Sequence, residues 1–334
     1  MAALNANSIS NPGQNLSAGD RDALFMKMFS GEVLTAFARS SVMMSRHMVR
    51  TIPHGKSASF PVMGRTNAQY LAPGNSLDDQ RKKMENTERV IVIDGLLTAD
   101  ALITDIDDAM NHYDVRTEYS RQLGEALAQA ADCAIINELA NEAEKSDSKF
   151  KENIPTNNTL GNPGTGSAFE YVTGADEAQT VAFGQKIYEG LLAAQAKFTK
   201  NWVPASERYC LLSPDGYTAL LRFLSPDNAH WQTIINPQTG TLSNVAGFEI
   251  IQTPNLDNPG VGGKHQLKSS IKTAVLQGIV WHRSAVGTVK LKDLSMERAR
   301  RAEYQADQII AKYSMGHGGL RPEAVGIFVK TAQA

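Results

Sequence analysis

Cysteine is nearly missing from this 334-residue chain. Cys133 and Cys210 are too few for a disulfide framework, so a reducing compartment fits. Long hydrophobic runs are missing too. Stretches such as Val90-Ile91-Val92-Ile93 fall far short of the roughly 20 residues a spanning helix needs, and no membrane contact is expected. The first thirty residues lack a positive segment followed by an apolar one. No signal peptide is read, and the product is expected to stay in a cytoplasm unless something larger carries it out. No sign of charge dominates, since 33 Lys and Arg face 35 Asp and Glu for a formal net charge of -2. That balance argues against a protein built to grip nucleic acid through a basic surface. With 42% hydrophobic and 20% charged residues, disorder and collagen-like repeats are excluded.

Catalytic signatures are equally scarce. The seven histidines (His47, His54, His112, His230, His265, His282 and His317) are scattered, with no His-Glu-x-x-His and no Gly-x-Ser-x-Gly. Gly161-Asn-Pro-Gly-Thr-Gly-Ser has the glycine spacing of a phosphate loop, but Ser167 stands where lysine is required and Pro163 removes a backbone donor. It reads as a plain flexible loop. Asp105, Asp107, Asp108, His112 and Asp114 cluster before a long helix, and Asp108 and His112 are spaced to share a face. Without a further Cys or His at ligand spacing, the cluster reads as carboxylates favoured by a helix N-terminus. Cys133 reads as a small packing residue inside a helix. The basic runs Arg81-Lys82-Lys83 and Glu297-Arg298-Ala299-Arg300-Arg301 have acids beside them, namely Asp78, Asp79, Glu85, Asp293 and Glu303. Inter-subunit ion pairs or a solvated face are expected there rather than a nucleic-acid site. No catalytic residue, metal or cofactor is assigned.

What is present is shape. Length alone, at about 150 residues per domain, suggests two domains, and no repeat is evident. Residues 1–19, rich in Asn, Ser, Gly and Pro, read as a flexible arm. Ala58, Phe60 and Val62 alternate with Ser57 and Ser59, a half-buried strand; Val90 to Ile93 is a second. Between them lie Gly64, the Pro73-Gly74 turn and a charged passage. A two-stranded ribbon is marginal alone and calls for a partner surface. Residues 112–145 read as one helix roughly 50 Å long. Val115, Tyr119, Leu123, Ala126, Ala130 and Ala134 form its stripe, and Glu118, Arg121, Glu125, Gln129 and Asp132 another face. A polar linker at 146–176 precedes a second helix over about 176–198, with Val181, Phe183, Ile187, Leu191, Leu192 and Ala194 apolar. From 208 to 283 short strands and helices alternate as an inserted α+β domain, and the region from His282 onward is strand-rich. Outstretched parts that cannot bury themselves suggest a protein completed by its neighbours.

Several segments resemble the major capsid protein of short-tailed, autographivirus-type bacteriophages. They are Gly31-Glu-Val-Leu-Thr-Ala-Phe-Ala-Arg-Ser, Ser45-Arg-His-Met-Val-Arg, Tyr70-Leu-Ala-Pro-Gly-Asn-Ser-Leu-Asp-Asp, the run from Ile93 to Asp132, and above all the run from His282 to Ala324. The resemblance covers about 31–132 and 282–324 and is loose across 133–281. It implies the α+β tailed-phage capsid fold, Hong Kong 97-like. On that fold 1–48 would be the N-terminal arm and 49–95 the extended loop lying over an adjacent subunit. Residues 96–176 would be the peripheral domain with its spine helix at 112–145, 177–281 the axial domain, and 282–334 a return to the peripheral domain.

The implied function is structural: pentamers and hexamers of one chain forming an icosahedral shell around double-stranded DNA. The implied partners are other copies of the chain, a scaffolding protein during assembly, a portal protein, and packaged DNA held without sequence-specific binding. Assembly in the host cytoplasm and residence in the virion follow. Ala58, Phe60, Val62, Pro73, Gly74, Val90 and Val92 are the expected inter-subunit contacts of the loop. No Lys–Asn weld is expected, since no motif near Lys56, Lys82 or Lys83 identifies one. Two alternatives stand beside this reading: a cage of the same fold holding enzyme cargo, and a soluble enzyme using the Asp105–Asp114 cluster.

Overall fold

The computed structural model describes residues 33, 35–37, 41–63, 68, 70–74, 76, 78, 86–105, 116–143, 177–224, 235–236, 241–242, 244–257, 263–267 and 276–329. The expected flexible arm at 1–19, the 146–176 linker with its glycine-rich loop, the Arg81-Lys82-Lys83 run, and Asp107, Asp108, His112 and Asp114 lie outside them. In chain order the elements are β1 (Met48–Thr51), β2 (Ser57–Met63), β3 (Asn86–Val92), β4 (Leu97–Thr104), α1 (Arg116–Ala143), α2 (Glu177–Lys200), β5 (Arg208–Leu212) and α3 (Pro214–Phe223). The short strands β6 (Ile235–Asn236), β7 (Thr241–Leu242) and β8 (Asn244–Val245) follow, then β9 (Phe248–Gln252), β10 (Leu276–His282), β11 (Val286–Arg301), β12 (Ala306–Gly319) and β13 (Val325–Val329).

Two sheets carry the molecule. One has four strands in the order β1-β11-β12-β4, built on the long antiparallel β11–β12 hairpin. β1 lies parallel to β11 at one edge, and β4 antiparallel to β12 at the other. The second sheet has five strands in the order β13-β10-β5-β9-β8, with β5 and β9 parallel. α3 shows why its residues turn helical. Ser213 accepts the Gly216 amide, Pro214 opens the first turn where no amide donor is needed, and Asp215 meets the positive end of the helix.

The long helix α1 spans both cores. Its first half places Leu123, Leu127, Ala128 and Ala131 against Ala101, Ile309, Ala311, Tyr313 and Met315 of the four-stranded sheet. Its second half places Ile135, Ile136 and Leu139 into the larger core, with Phe183, Ile187, Leu191 and Phe198 of α2 and Trp281, Ile279, Ile327 and Phe328 of the five-stranded sheet. One rod carries two apolar stripes into two sheets, which is what a spine does mechanically.

Several expectations are corrected here. The α1 stripe is rotated: Leu123 is buried, but Ala126 is exposed and Ala130 and Ala134 are only half-buried. Leu127, Ala131 and Leu139 carry the contact instead, because the large side chains decide which face buries most area. Asp132, placed on the polar face away from the apolar stripe, is buried. In α2, Val181 and Leu192 are exposed while Phe183, Ile187, Leu191 and Ala194 face inward. The last strand, β13, pairs with β10 in the five-stranded sheet. β10 has an edge open to it, and Val325, Ile327 and Phe328 fill the larger core.

Candidate assembly interface

β2 and β3 form an antiparallel ribbon registered from Ser57 opposite Val92 to Met63 opposite Asn86. Alternation along both strands gives the ribbon two faces. One face is covered by the chain itself. Ala58, Phe60 and Ile91 pack with Ile52, Val289 and Leu320, and Ile93 and Leu291 flank them. The Arg50 guanidinium lies over the Phe60 ring, 5.8 Å from its centroid, and donates to the Ser59 carbonyl at 2.9 Å. Ala58 and Phe60 were expected as contacts to a neighbouring subunit. They are instead 8% and 9% exposed within their own chain. Periodicity reports that a face is covered; it is silent on whose surface covers it.

The root of the ribbon depends on glycine. A Cβ on Gly316 would collide with the Val92 carbonyl and come within 2.9 Å of the Ile93 Cα. One on Gly319 would collide with the Glu142 carboxylate. Gly316-His-Gly-Gly therefore forms a bed on β12 that brings the end of β3 and the last turn of α1 into direct contact. Above that bed, the Arg89 guanidinium of β3 lies 3.6 Å from the buried Glu142 carboxylate.

The other face is open. Val90 and Val92 are 54% and 50% exposed, and Pro61 is exposed beside them. Farther out, Tyr70, Leu71, Ala72, Pro73 and Gly74 are all exposed, with Gly74 in the left-handed region that its turn requires. Val62 lies in β2 opposite Thr87. Met48 and Val49 of the edge strand β1, and Leu96, add further exposed apolar side chains. Of the seven expected contacts, Pro73, Gly74, Val90 and Val92 are thus exposed.

The basic run on β11 is neutralised from within. Arg298 pairs with Asp307, Arg300 forms a two-point pair with Asp105 and also approaches Asp307, and Glu297 pairs with Lys312 across the hairpin. The Arg300 hydrogen bonds pull the Asp105 carboxyl below its usual range. The first member of the expected acidic cluster is therefore an ion-pair partner. Among the described residues no group of side chains is arranged to hold a metal ion. The Cys133 thiol is pushed up to about 11, first by burial and then by the Asp132 charge, which suits a packing residue.

Linear reading missed the buried polar network under the ribbon. His47 Nδ1 donates to the Met43 carbonyl at 2.7 Å, so its Nε2 accepts the Thr288 hydroxyl at 2.6 Å. His317 Nδ1 donates to the Thr288 oxygen at 2.9 Å. The His265 ring meets the His317 ring edge-on at 5.6 Å, and its two nitrogens face Glu138 at 2.9 Å and Asp94 at 2.6 Å. Nothing in local sequence signals this, since its members come from six separate segments. Asp132 is a second such site, accepting from Ser41 Oγ and the Val42 and Met43 amides.

Comparison with known proteins agrees with this architecture. A match to the family described as "Gp10A-like: Major capsid protein" spans residues 59–329. The chain is 53% identical to the major capsid protein of Enterobacteria phage T3, covering 96% of this chain and 95% of that one. It is 52% identical to the major capsid protein of Escherichia phage T7, covering 94% of each. Among solved structures, the capsid of cyanophage P-SCSP1u superposes with a TM-score of 0.69 at 30% identity, over 86% of this chain and 87% of that one.

Proposed function

The chain belongs to the Gp10A-like major capsid protein family, and from that premise we propose how it builds a shell. It is a structural protein of the phage head with the Hong Kong 97-like capsid fold, part of the virion and not an enzyme. The cage for enzyme cargo finds no support among these relatives.

The finer reading is that pentamers and hexamers close into an icosahedral head around double-stranded DNA. Assembly would proceed in the host cytoplasm on a scaffolding protein and with a portal protein. The open face of the β2–β3 ribbon is the observation that carries it. Val90, Val92 and the projecting Tyr70–Gly74 segment hold apolar area that their own chain leaves in water. Covering a half-exposed valine contributes on the order of 1 kcal/mol, so a shell sums many weak contacts. Ala58 and Phe60 serve the same interface from behind, by fixing the ribbon's root; Val62 belongs to the strand between root and tip. The near-neutral formal charge and the internally paired arginines of β11 suit a container that lets DNA slide without sequence-specific grip.

The test is co-expression of the Val90→Asp, Val92→Asp double variant with the scaffolding protein, followed by negative-stain electron microscopy. The expected outcome is folded, soluble subunits that form few or no particles. Normal particles in normal yield would overturn the assignment of this face.

A further inference from the structure

The His265 ring sits where three parts of the molecule meet. Asp94 lies two residues past the end of β3, at the root of the ribbon, and its amide donates to the Met315 carbonyl of β12. Glu138 stands on α1, one helical turn before the Glu142 that meets Arg89. His265 comes from the short segment before β10, in the left-handed backbone region with φ 51°, two residues after Gly263 at φ 74°. A non-glycine residue held there is uncommon and points to a side chain fixed by strong partners.

Both ring nitrogens of His265 face carboxylate oxygens within hydrogen-bond distance. A carboxylate only accepts, so both nitrogens must donate, and only the imidazolium has two N–H groups. We infer that His265 is a charged clasp tying the root of the ribbon, through Asp94, to the spine helix, through Glu138, so that protonation of one ring governs how firmly the ribbon is held.

The surrounding groups are consistent with one charge at this spot. Facing it are Asp94, Glu138 and the His317 ring, with His47 one hydrogen-bonded step beyond through Thr288. Lys264, its chain neighbour, reaches toward Gly95. Burial pulls the His265 imidazole down, but the hydrogen bonds and charges of Asp94 and Glu138 more than offset it, pushing it up to about 9. His317 is driven down to about 3, by burial first and then by its electrostatic interaction with the neighbouring His265 and His47 rings. One ring is charged and the adjacent one neutral, which avoids repulsion in a closed space.

The clasp lies wholly within one chain, so its failure would leave the assembly reading intact. The experiment is hydrogen exchange on the full-length protein, following the peptide 86–97 from pH 6 to 10 and correcting for intrinsic exchange. In the wild type, opening of this segment should rise by up to about ten-fold per pH unit between 6.5 and 9 and then level off. His265→Gln should abolish that pH dependence. Glu138→Gln and Asp94→Asn each remove one acceptor charge, so each should move the plateau to lower pH while the chain stays folded. A wild-type profile without this rise, or carboxylate variants with an unmoved plateau, would overturn the clasp.

Discussion

Phe60 and Val90 sit at adjacent register positions of the same ribbon, so they face opposite ways and do different work. Phe60 is inside its own chain's core, opposite Arg89 and under Arg50. Its removal therefore acts on folding. Phe60→Ala should cost about 3 kcal/mol of stability, near the lower end for a buried aromatic because the site lies at the edge of the body. Val90→Asp should leave the melting temperature of the subunit nearly unchanged, since substitutions at exposed sites mostly fall within about 0.5 kcal/mol, yet reduce particle yield. Thermal melts on both variants, read beside particle counts, separate the two roles. Gly316→Ala is the third residue to change. Its methyl group meets backbone at Val92 and Ile93, which cannot rotate away. A cost of about 1–3 kcal/mol is expected from overpacking, visible in the same melts.

At the scale of elements, α1 is the organising piece. Its polar residues are as informative as its stripe. Asp132 takes three donors from residues 41–43 and so fastens the chain before β1 to the middle of the helix. Burial raises the Asp132 carboxyl above its usual range, against the pull of the Val42, Ser41 and Met43 hydrogen bonds and the Arg46 charge. The charged form is thus held at a cost, and the hydrogen bonds offset part of it. Asp132→Ala should strand buried donors at about 1–3 kcal/mol and speed amide exchange at Val42 and Met43, while exchange in α3 stays as it was. Glu138 and Glu142, one turn apart near the other end of α1, face the ribbon's root. The helix is therefore joined to two outlying parts by buried carboxylates at separate turns.

For the whole molecule, the two adjacent histidines set opposite limits on stability. The folded value of His265 lies above the 6.5 of a free imidazole, so its contribution is complete below pH 6.5 and is lost as pH rises through about 9. The folded value of His317 lies below 6.5, so its contribution is complete above pH 6.5 and is lost as pH falls toward 3. His47 is shifted downward by burial and acts in the same sense as His317. Together these rings favour a stability maximum close to pH 6.5. Melting temperatures recorded from pH 4 to 10 check this, and His317→Gln should flatten the acid side.

Local order was legible before any coordinates. The alternation at Ser57–Val62, the long period of α1, the second helix and the β5-α3 alternation follow from side-chain spacing, because strand and helix repeats are properties of neighbours along the chain. The segments similar to a known family carried the fold and the function with them. The tertiary structure alone decided which surfaces meet. It turned Phe60 inward onto Val289 and Leu320, rotated the α1 stripe onto Leu127, sent β13 to β10, and joined His265 to Asp94 across 171 positions of sequence. Burial and buried charge are set by what lies opposite in space, and no window of sequence contains both partners.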